Sequence, residues 1–254
     1  MRAIAAVALN TFREAIRDRV LYLILAVALA VVGGSRFVAM LTVGSEVKIV
    51  KDLGLAAVSI FGLLIAVFVG VSLVSKEIER RTVFTLLAQP VARWQFIAGK
   101  YAGLLLVLAA NVVLVGGAVL AAVALMGESP LALVPAIVLI LVELSVVAAF
   151  SVLFSSFTNP ILAAVGTVAV YVAGHLSWSF DLLRKRVATA AARTLCDVLH
   201  AVLPNLDRLD VKADAVHGVA IPAGTFAAAA AYGAFYAIAV VVLACIVFER
   251  REFA

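Results

Sequence analysis

Long apolar runs, each ended by charged residues or a turn, alternate with short polar segments along most of the chain. A helix needs about 20 mostly apolar residues to cross a bilayer, and six runs reach roughly that length. We therefore predict an all-α polytopic membrane protein with a single transmembrane domain over residues 1–254. The predicted spans are residues 20–43, 53–75, 101–126, 131–156, 161–180 and 225–248.

The first predicted span contains an internal charge. Only 16 uncharged residues separate Arg19 from Arg36. That is about 24 Å of helix, so a full crossing has to continue past Arg36. We interpret the Arg36 side chain as reaching the headgroups at the far surface. The alternative is a place in a transport path.

Residues 1–19 show a different pattern, in which apolar residues recur at helical spacing and basic residues occupy the other side. This pattern predicts an amphipathic helix lying in the membrane interface. A secretory signal peptide is the competing interpretation, and the late start of the apolar region and the lack of a small-residue cleavage site argue against it. The apolar positions are Ile4, Ala8, Phe12, Ala15 and Ile16.

The segment 181–224 is the longest predicted loop, and it also carries apolar residues near helical spacing as far as Pro204 and Asn205. We predict one or two short helices at the outer membrane surface. The segment is too short and too poor in strand signals for a separate receptor domain.

The loop 76–100 combines a charged block with an apolar block. Five of its first six residues are charged, and residues 82–88 are then mostly apolar. Seven helical residues cover only about 10 Å, which is too short to cross a bilayer. An apolar surface of this kind has to be buried, and we interpret its partner as another protein. The alternative is that the loop dips into the inner headgroups.

Composition supports a membrane protein and the charges indicate its orientation. The chain is 66% hydrophobic and only 14% charged, with a mean hydropathy of +1.20. With both termini in the cytoplasm, the inner segments carry 11 Lys/Arg against 6 Asp/Glu, and the outer loops carry 9 against 8. This distribution fits the positive-inside rule. The net charge of +5 is therefore a topology signal, and no nucleic-acid partner is expected.

Motifs of soluble and intramembrane enzymes are missing from the sequence. HExxH, CxxC and GxSxG do not occur. The tripeptide 98–100 resembles the end of a P-loop, but Trp94 stands where that motif needs glycine. We expect no cofactor or metal bound by this chain. The cysteines Cys196 and Cys245 do not indicate an intrachain disulfide framework.

Four further positions in or beside the apolar runs are candidates for packing or function. Gly99 and Gly103 form a GxxxG pattern, which permits close helix packing. Glu143 and His175 are ionisable residues at different predicted depths. They are candidates for a proton-sensitive gate or a polar contact with substrate, and the alternative is interhelical hydrogen bonding.

The loop 76–100 resembles the first cytoplasmic loop of ABC-2-type permeases, the membrane subunits of type V ABC transporters. Residues 11–22 are similar to the interfacial connecting helix of that family, and residues 203–210 resemble its outer loop before the last span. Within the family, the pattern is most similar to permeases with a longer last outer loop, including those of nitrous-oxide-reductase maturation. The residues that carry the resemblance in the loop are Glu77, Glu79, Arg80, Arg81, Thr82, Leu86, Leu87, Pro90, Arg93, Gly99 and Lys100.

The resemblance implies a cytoplasmic coupling helix over 82–88 that sits in a groove of a separate ABC ATPase subunit. ATP and Mg would be bound by that partner. The resemblance also implies a second permease copy, an exporter, and a prokaryotic inner membrane with its lipid. The implied ATPase-coupling residues are Glu77, Glu79, Arg80, Arg81, Thr82, Phe84, Leu86, Leu87, Pro90 and Arg93.

Two other classes of function stay open. An ion-coupled secondary transporter would need paired acids at the midplane or helices broken at matching positions of two halves. An intramembrane enzyme would need a catalytic constellation. The substrate is not indicated by the sequence, since an apolar interior accommodates lipids, drugs, glycans or a small sulfur-containing metabolite.

Overall fold

The computed structural model describes residues 2–41, 44–79, 92–177 and 203–250, and within these ranges all regular structure is helical. The fold class predicted from the sequence is confirmed. The α-helices are α1 (Arg2–Ile16), α2 (Arg19–Met40), α3 (Glu46–Glu79), α4 (Arg93–Ala124), α5 (Val134–Phe157), α6 (Pro160–His175), α7 (Lys212–His217) and α8 (Ala223–Glu249), and short 3₁₀ helices cover Pro130–Leu133 and Leu206–Leu209.

Five of the described helices are long and apolar enough to cross a membrane, namely α2, α3, α4, α5 with the 3₁₀ turn before it, and α8. The shorter α6 has 16 residues, about 24 Å of helix. It matches the fifth predicted span, whose last residues, 178–180, lie outside the described ranges.

Successive long helices are antiparallel, so α1 and the end of α8 lie on the same side of the bundle. We call the side that holds α1, the start of α4 and the end of α8 the N-terminal face. The other side, which holds the connections around residues 44 and 127 and the segment 203–222, is the opposite face. Contacts between Lys100 and Glu14 on the first side, and between Lys51 and Glu128 on the second, fit this arrangement.

The tight turn between α5 and α6 has a local cause in the sequence. Asn159 accepts a hydrogen bond from the backbone N–H of Leu162 at 2.9 Å, which caps the new helix. Pro160 occupies the first helical position, where a backbone N–H would have no acceptor within the helix, so its absence costs no hydrogen bond. The chain therefore reverses direction at Thr158 and Asn159, between the fourth and fifth predicted spans.

Two helices extend beyond the predicted spans. The helix α3 begins at Glu46, seven residues before its predicted span, and α4 begins at Arg93, eight residues before its own. Both extensions contain charged residues, so hydropathy ended the spans too early. Hydropathy shows only which residues of a helix are apolar. The backbone hydrogen bonds continue the helix beyond the hydrocarbon core of the membrane.

The helices α3 and α5 form the centre of the bundle. About two-thirds or more of their spanning windows are buried, against 28% for α2 and for α8. Small residues bring the central helices together, because Gly62 of α3 lies directly against Leu144 of α5. The exposed sides of α2 and α8 are apolar, as expected for surfaces that face lipid or another membrane protein.

Candidate functional site

The predicted coupling segment joins α3 to α4 on the N-terminal face. Glu77 and Glu79 belong to the last turn of α3, and Arg93 is the first residue of α4. The other predicted coupling residues, Arg80, Arg81, Thr82, Phe84, Leu86, Leu87 and Pro90, lie outside the described ranges. The structure therefore describes the two helix ends that frame the segment.

The start of α4 packs tightly against α1. A Cβ atom added at Gly99 would lie 2.6 Å from Cβ of Val7, and one added at Gly103 would lie 2.7 Å from the backbone oxygen of Ala8. Any side chain larger than hydrogen would push the two backbones apart. The GxxxG pattern thus predicted a close packing surface correctly, and the structure shows that its partner is α1.

A buried lysine lies between these two glycines. Lys100 is 2% exposed, and its Nζ lies 3.7 Å from Oε2 of Glu14 in α1. The same ammonium lies 5.6 Å from the centre of the Phe96 ring, within range of a cation–π interaction. A buried ammonium is costly unless it has such partners, so Lys100 specifies how α1 sits on α4.

The end of α8 completes this region. The rings of Phe96 and Phe248 are stacked with centroids 5.9 Å apart. Arg93 donates a hydrogen bond from Nη1 to the backbone oxygen of Glu249 at 3.3 Å. The first turns of α4 therefore contact α1 on one side and α8 on the other. We call residues 93–103, with the parts of α1 and α8 that touch them, the α4 junction.

A second polar region lies toward the opposite face, inside the bundle. Nε2 of His175 in α6 lies 3.3 Å from Oε1 of Glu143 in α5, and the Glu143 side chain is only 1% exposed. The prediction that these residues lie at different depths was wrong. Both lie about 21 to 23 Å from the tight turn between α5 and α6, since Glu143 is 14 residues from Phe157 and His175 is 15 residues from Pro160. The two residues are therefore level with each other.

Three more side chains surround this pair. Tyr171, one helical turn before His175, has its ring 4.5 Å from the His175 ring and lies within interaction range of Glu143. Asp210 and Lys212, an ion pair from the segment after residue 203, lie in the neighbourhood of Glu143. We call Glu143, Tyr171, His175, Asp210 and Lys212 the polar cluster.

Lys212 links the polar cluster to the centre of the bundle. Its Nζ lies 3.3 Å from Oδ2 of Asp210. The same atom donates a hydrogen bond to Oγ of Ser59 in α3 at 3.3 Å. Sequence reasoning placed Lys212 in the loop and missed this role, because the loop gives no signal of which side chain enters the bundle.

Two other ionisable or polar residues lie apart from the polar cluster. Arg36 is exposed and stands four residues before the end of α2, and its reach to the headgroups stays a prediction. Asn111 is 3% exposed in the middle of α4, and its amide atoms have no hydrogen-bond partner among the described residues. The sequence analysis did not single out Asn111, although an Asn in an apolar run was a visible signal.

The opposite face also contains a pocket of about 460 Å³. Its walls come from the start of α3, the connection near residue 128 and the end of α7. Lys51 and Glu128 form an ion pair across it at 3.3 Å. The polar cluster does not line this pocket, so the two sites are separate.

The long apolar helices, which pack against one another around a few buried polar residues, define a multi-pass membrane protein. Comparison with protein families gives a more specific result. The chain belongs to the ABC-2 family of transporter proteins, since the family model described as "ABC-2 family transporter protein" matches residues 5–253. It is therefore the membrane component, the permease subunit, of an ABC transporter. A search of curated proteins finds no match, and the resemblance to permeases of nitrous-oxide-reductase maturation stays a prediction.

Proposed function

We propose that this chain is the permease half of an ATP-driven exporter. In this proposal two copies form the pathway, and each copy receives a cytoplasmic ATPase subunit on its coupling segment. The termini lie in the cytoplasm of a prokaryotic cell and the spans in its inner membrane. ATP and Mg are bound by the partner, and this chain contributes no catalytic group.

The observation that supports the proposal is the α4 junction. A push on residues 82–88 reaches α4 at Arg93, and there α4 is in close contact with both α1 and α8. Because Gly99 and Gly103 leave no space between α4 and α1, those helices move together. A displacement of one short segment is thereby spread over three helices of the bundle.

The central position of α3 provides a second route by which a displacement of residues 82–88 would reach the bundle. The coupling segment is attached to the end of α3 at Glu79, and α3 contacts α2, α4 and α5. A closing movement of two ATPase subunits would therefore act on the peripheral helices through α4 and on the central helices through α3. Charged residues beside residues 82–88 would select the partner at the rim of the contact.

The test is uncoupling of ATP hydrolysis from transport. The chain is purified with the ATPase subunit encoded beside it and reconstituted, and Leu86→Asp and Arg81→Glu are compared with the natural chain. We expect both variants to keep the spans folded and to lose transport per ATP hydrolysed, or to lose the ATPase. The control is Arg250→Glu, a charge reversal at the exposed end of α8. Normal assembly and transport by the Leu86→Asp/Arg81→Glu double variant would refute the coupling role.

The contact between Glu143 and His175 favours one alternative, an ion-coupled secondary transporter. A buried carboxyl group 3.3 Å from an imidazole is able to hold and release a proton. The two functions differ in their energy source. Transport in vesicles that stops when the proton gradient is dissipated, and continues without ATP, would favour this alternative over the exporter.

A further inference from the structure

We propose that Glu143 and His175 form a proton-binding site, in which one proton is shared between Oε1 of the glutamate and Nε2 of the histidine at pH 7. The ligand is the proton itself, and the site is built from the hairpin that α5 and α6 form. The site requires neither the ATPase nor a second copy of the chain, so it stands or falls independently of the proposed function.

The backbone of α6 fixes which ring nitrogen of His175 carries a hydrogen. Nδ1 of His175 lies 3.1 Å from the backbone oxygen of Tyr171. A carbonyl oxygen only accepts hydrogen bonds, so Nδ1 is the donor in this contact. A neutral imidazole has a single N–H, and Nε2 is therefore left with a free lone pair. The ring of Tyr171, whose centre lies 4.5 Å from that of His175, packs against the imidazole in this orientation.

The lone pair on Nε2 faces a second hydrogen-bond acceptor. Nε2 of His175 lies 3.3 Å from Oε1 of Glu143, and the Glu143 side chain is 1% exposed. With neutral His175 and ionised Glu143, two acceptor atoms would meet with no hydrogen between them. One added proton removes this conflict, because either a protonated Glu143 donates to Nε2 or an imidazolium N–H donates to the carboxylate. The pair has zero net charge in both forms.

No other group among the described residues replaces this proton. Neither carboxyl oxygen of Glu143 has a hydrogen-bond partner in the described part of the chain. Tyr171 lies within interaction range of Glu143, but its phenol carries no charge. Asp210 and Lys212 lie nearby and pair with each other at 3.3 Å, so together they bring no net charge. A buried carboxylate is strongly unfavourable in such surroundings, and the shared proton avoids it.

The shared proton joins the two helices far from the turn that connects them. At the turn, the Asn159 cap and Pro160 hold α5 and α6 together. Glu143 and His175 lie about 21 to 23 Å farther along the hairpin, toward the opposite face. Loss of the proton would leave one net negative charge buried between the helices, so their contact at this level is most favourable with the proton bound.

The first test measures how unfolding of the purified full chain depends on pH. The natural chain and the Glu143→Gln variant are unfolded at equilibrium in mixed micelles at pH 7 and at pH 8. Glutamine copies the uncharged acid, since its amide N–H donates to Nε2 and cannot be released as a proton in this range. The control is Glu128→Gln, which removes a carboxylate that is 52% exposed.

The natural chain should become less stable relative to the Glu143→Gln variant as the pH rises. The sign follows from the proton count, because the folded natural chain holds one proton that the ordinary carboxyl group of the unfolded chain has already released. The ratio of the two unfolding constants should change about tenfold between pH 7 and pH 8. Glu128→Gln should keep a constant ratio to the natural chain. Equal pH dependence of the natural chain and Glu143→Gln would overturn the proposal.

Nitrogen NMR is a second test, and it needs no substitution at Glu143, so poor folding of that variant does not prevent a decision. The chain carries isotopically labelled histidine in a His200→Gln/His217→Gln background, where His175 is the only histidine. At pH 7 we expect a hydrogen on Nδ1, and a resonance of Nε2 displaced from that of an unprotonated nitrogen without a hydrogen bond. An unprotonated Nδ1 or a free Nε2 would overturn the site. Neither measurement involves ATP, so both outcomes leave the proposed exporter function to its own test.

Discussion

Gly103 of α4 faces Thr11 of α1 so closely that a methyl group on the glycine would stand 2.5 Å from Cβ of Thr11. The contact lies one helical turn beyond Gly99, which meets Val7 in the same way. Between them Lys100 is buried near Glu14. The N-terminal helix is thus held against the start of α4, directly after the predicted coupling segment, and in the proposed function it moves together with α4.

The first prediction concerns this packing. Gly103→Ala should lower the stability of the purified chain, on the order of 1–3 kcal/mol, because the new methyl group meets Thr11 and the backbone of Ala8. Thermal unfolding followed by size-exclusion chromatography in detergent measures the change.

The matched control is Gly117→Ala on the same helix. No atom lies within 4 Å of a Cβ added there, so this variant should be as stable as the natural chain or slightly more stable, since alanine favours helices. Equal melting temperatures for the Gly103→Ala and Gly117→Ala variants would show that α1 does not pack on α4 as described.

The second prediction concerns the contact between α4 and α8. Phe248 is 1% exposed and stacks on Phe96, so Phe248→Ala should destabilise the chain by about 3–5 kcal/mol through the cavity that it leaves. Phe235 on the same helix is 75% exposed, and Phe235→Ala should have a much smaller effect. Thermal unfolding compares the two, and an equal loss from both would contradict the position of α8.

The third prediction concerns Glu143 in transport. Glu143→Gln keeps the shape of the side chain and removes its ability to exchange a proton beside His175, so we expect a transport rate reduced several-fold with the ATPase still bound. Transport by reconstituted vesicles is measured beside Glu128→Gln, a carboxylate that is 52% exposed. Unchanged transport by the Glu143→Gln variant would remove Glu143 from the mechanism.

The fourth prediction concerns orientation in the membrane. In a background without native cysteines, Glu128→Cys on the opposite face should react with an impermeant maleimide in intact cells. Ala92→Cys, exposed just before α4, should react only after the cells are permeabilised. The reverse pattern would place the termini outside and contradict the positive-inside assignment.

The sequence predicted the membrane helices because hydrophobicity and length are local properties. Six apolar runs, the capped turn at Asn159 and Pro160, and the GxxxG pair each depend on neighbours within a few residues. The sequence analysis did not predict the helix ends that lie beyond the apolar runs. Arg93 begins α4 although it is charged, because a helix that packs on α1 and α8 can continue into water.

Contacts between helices were predictable only where a turn fixed the register. Glu143 and His175 are nearly equidistant from the tight turn at residues 158–159, and counting from that turn would have placed them side by side. Lys212 had no such reference point. Its place beside Ser59 depends on how residues 203–217 fold back over α3, which is a long-range property.

The central claim is that residues 82–88 bind an ATPase subunit, and a site-specific photocrosslinker at Leu86 tests it most directly. In intact cells, we expect a crosslinked product that contains this chain and a subunit with Walker A and ABC signature motifs. The same crosslinker at Leu125, an exposed residue at the opposite face, should not give that product. Crosslinks from Leu86 to lipid alone, with no nucleotide-binding subunit in the product, would contradict the account.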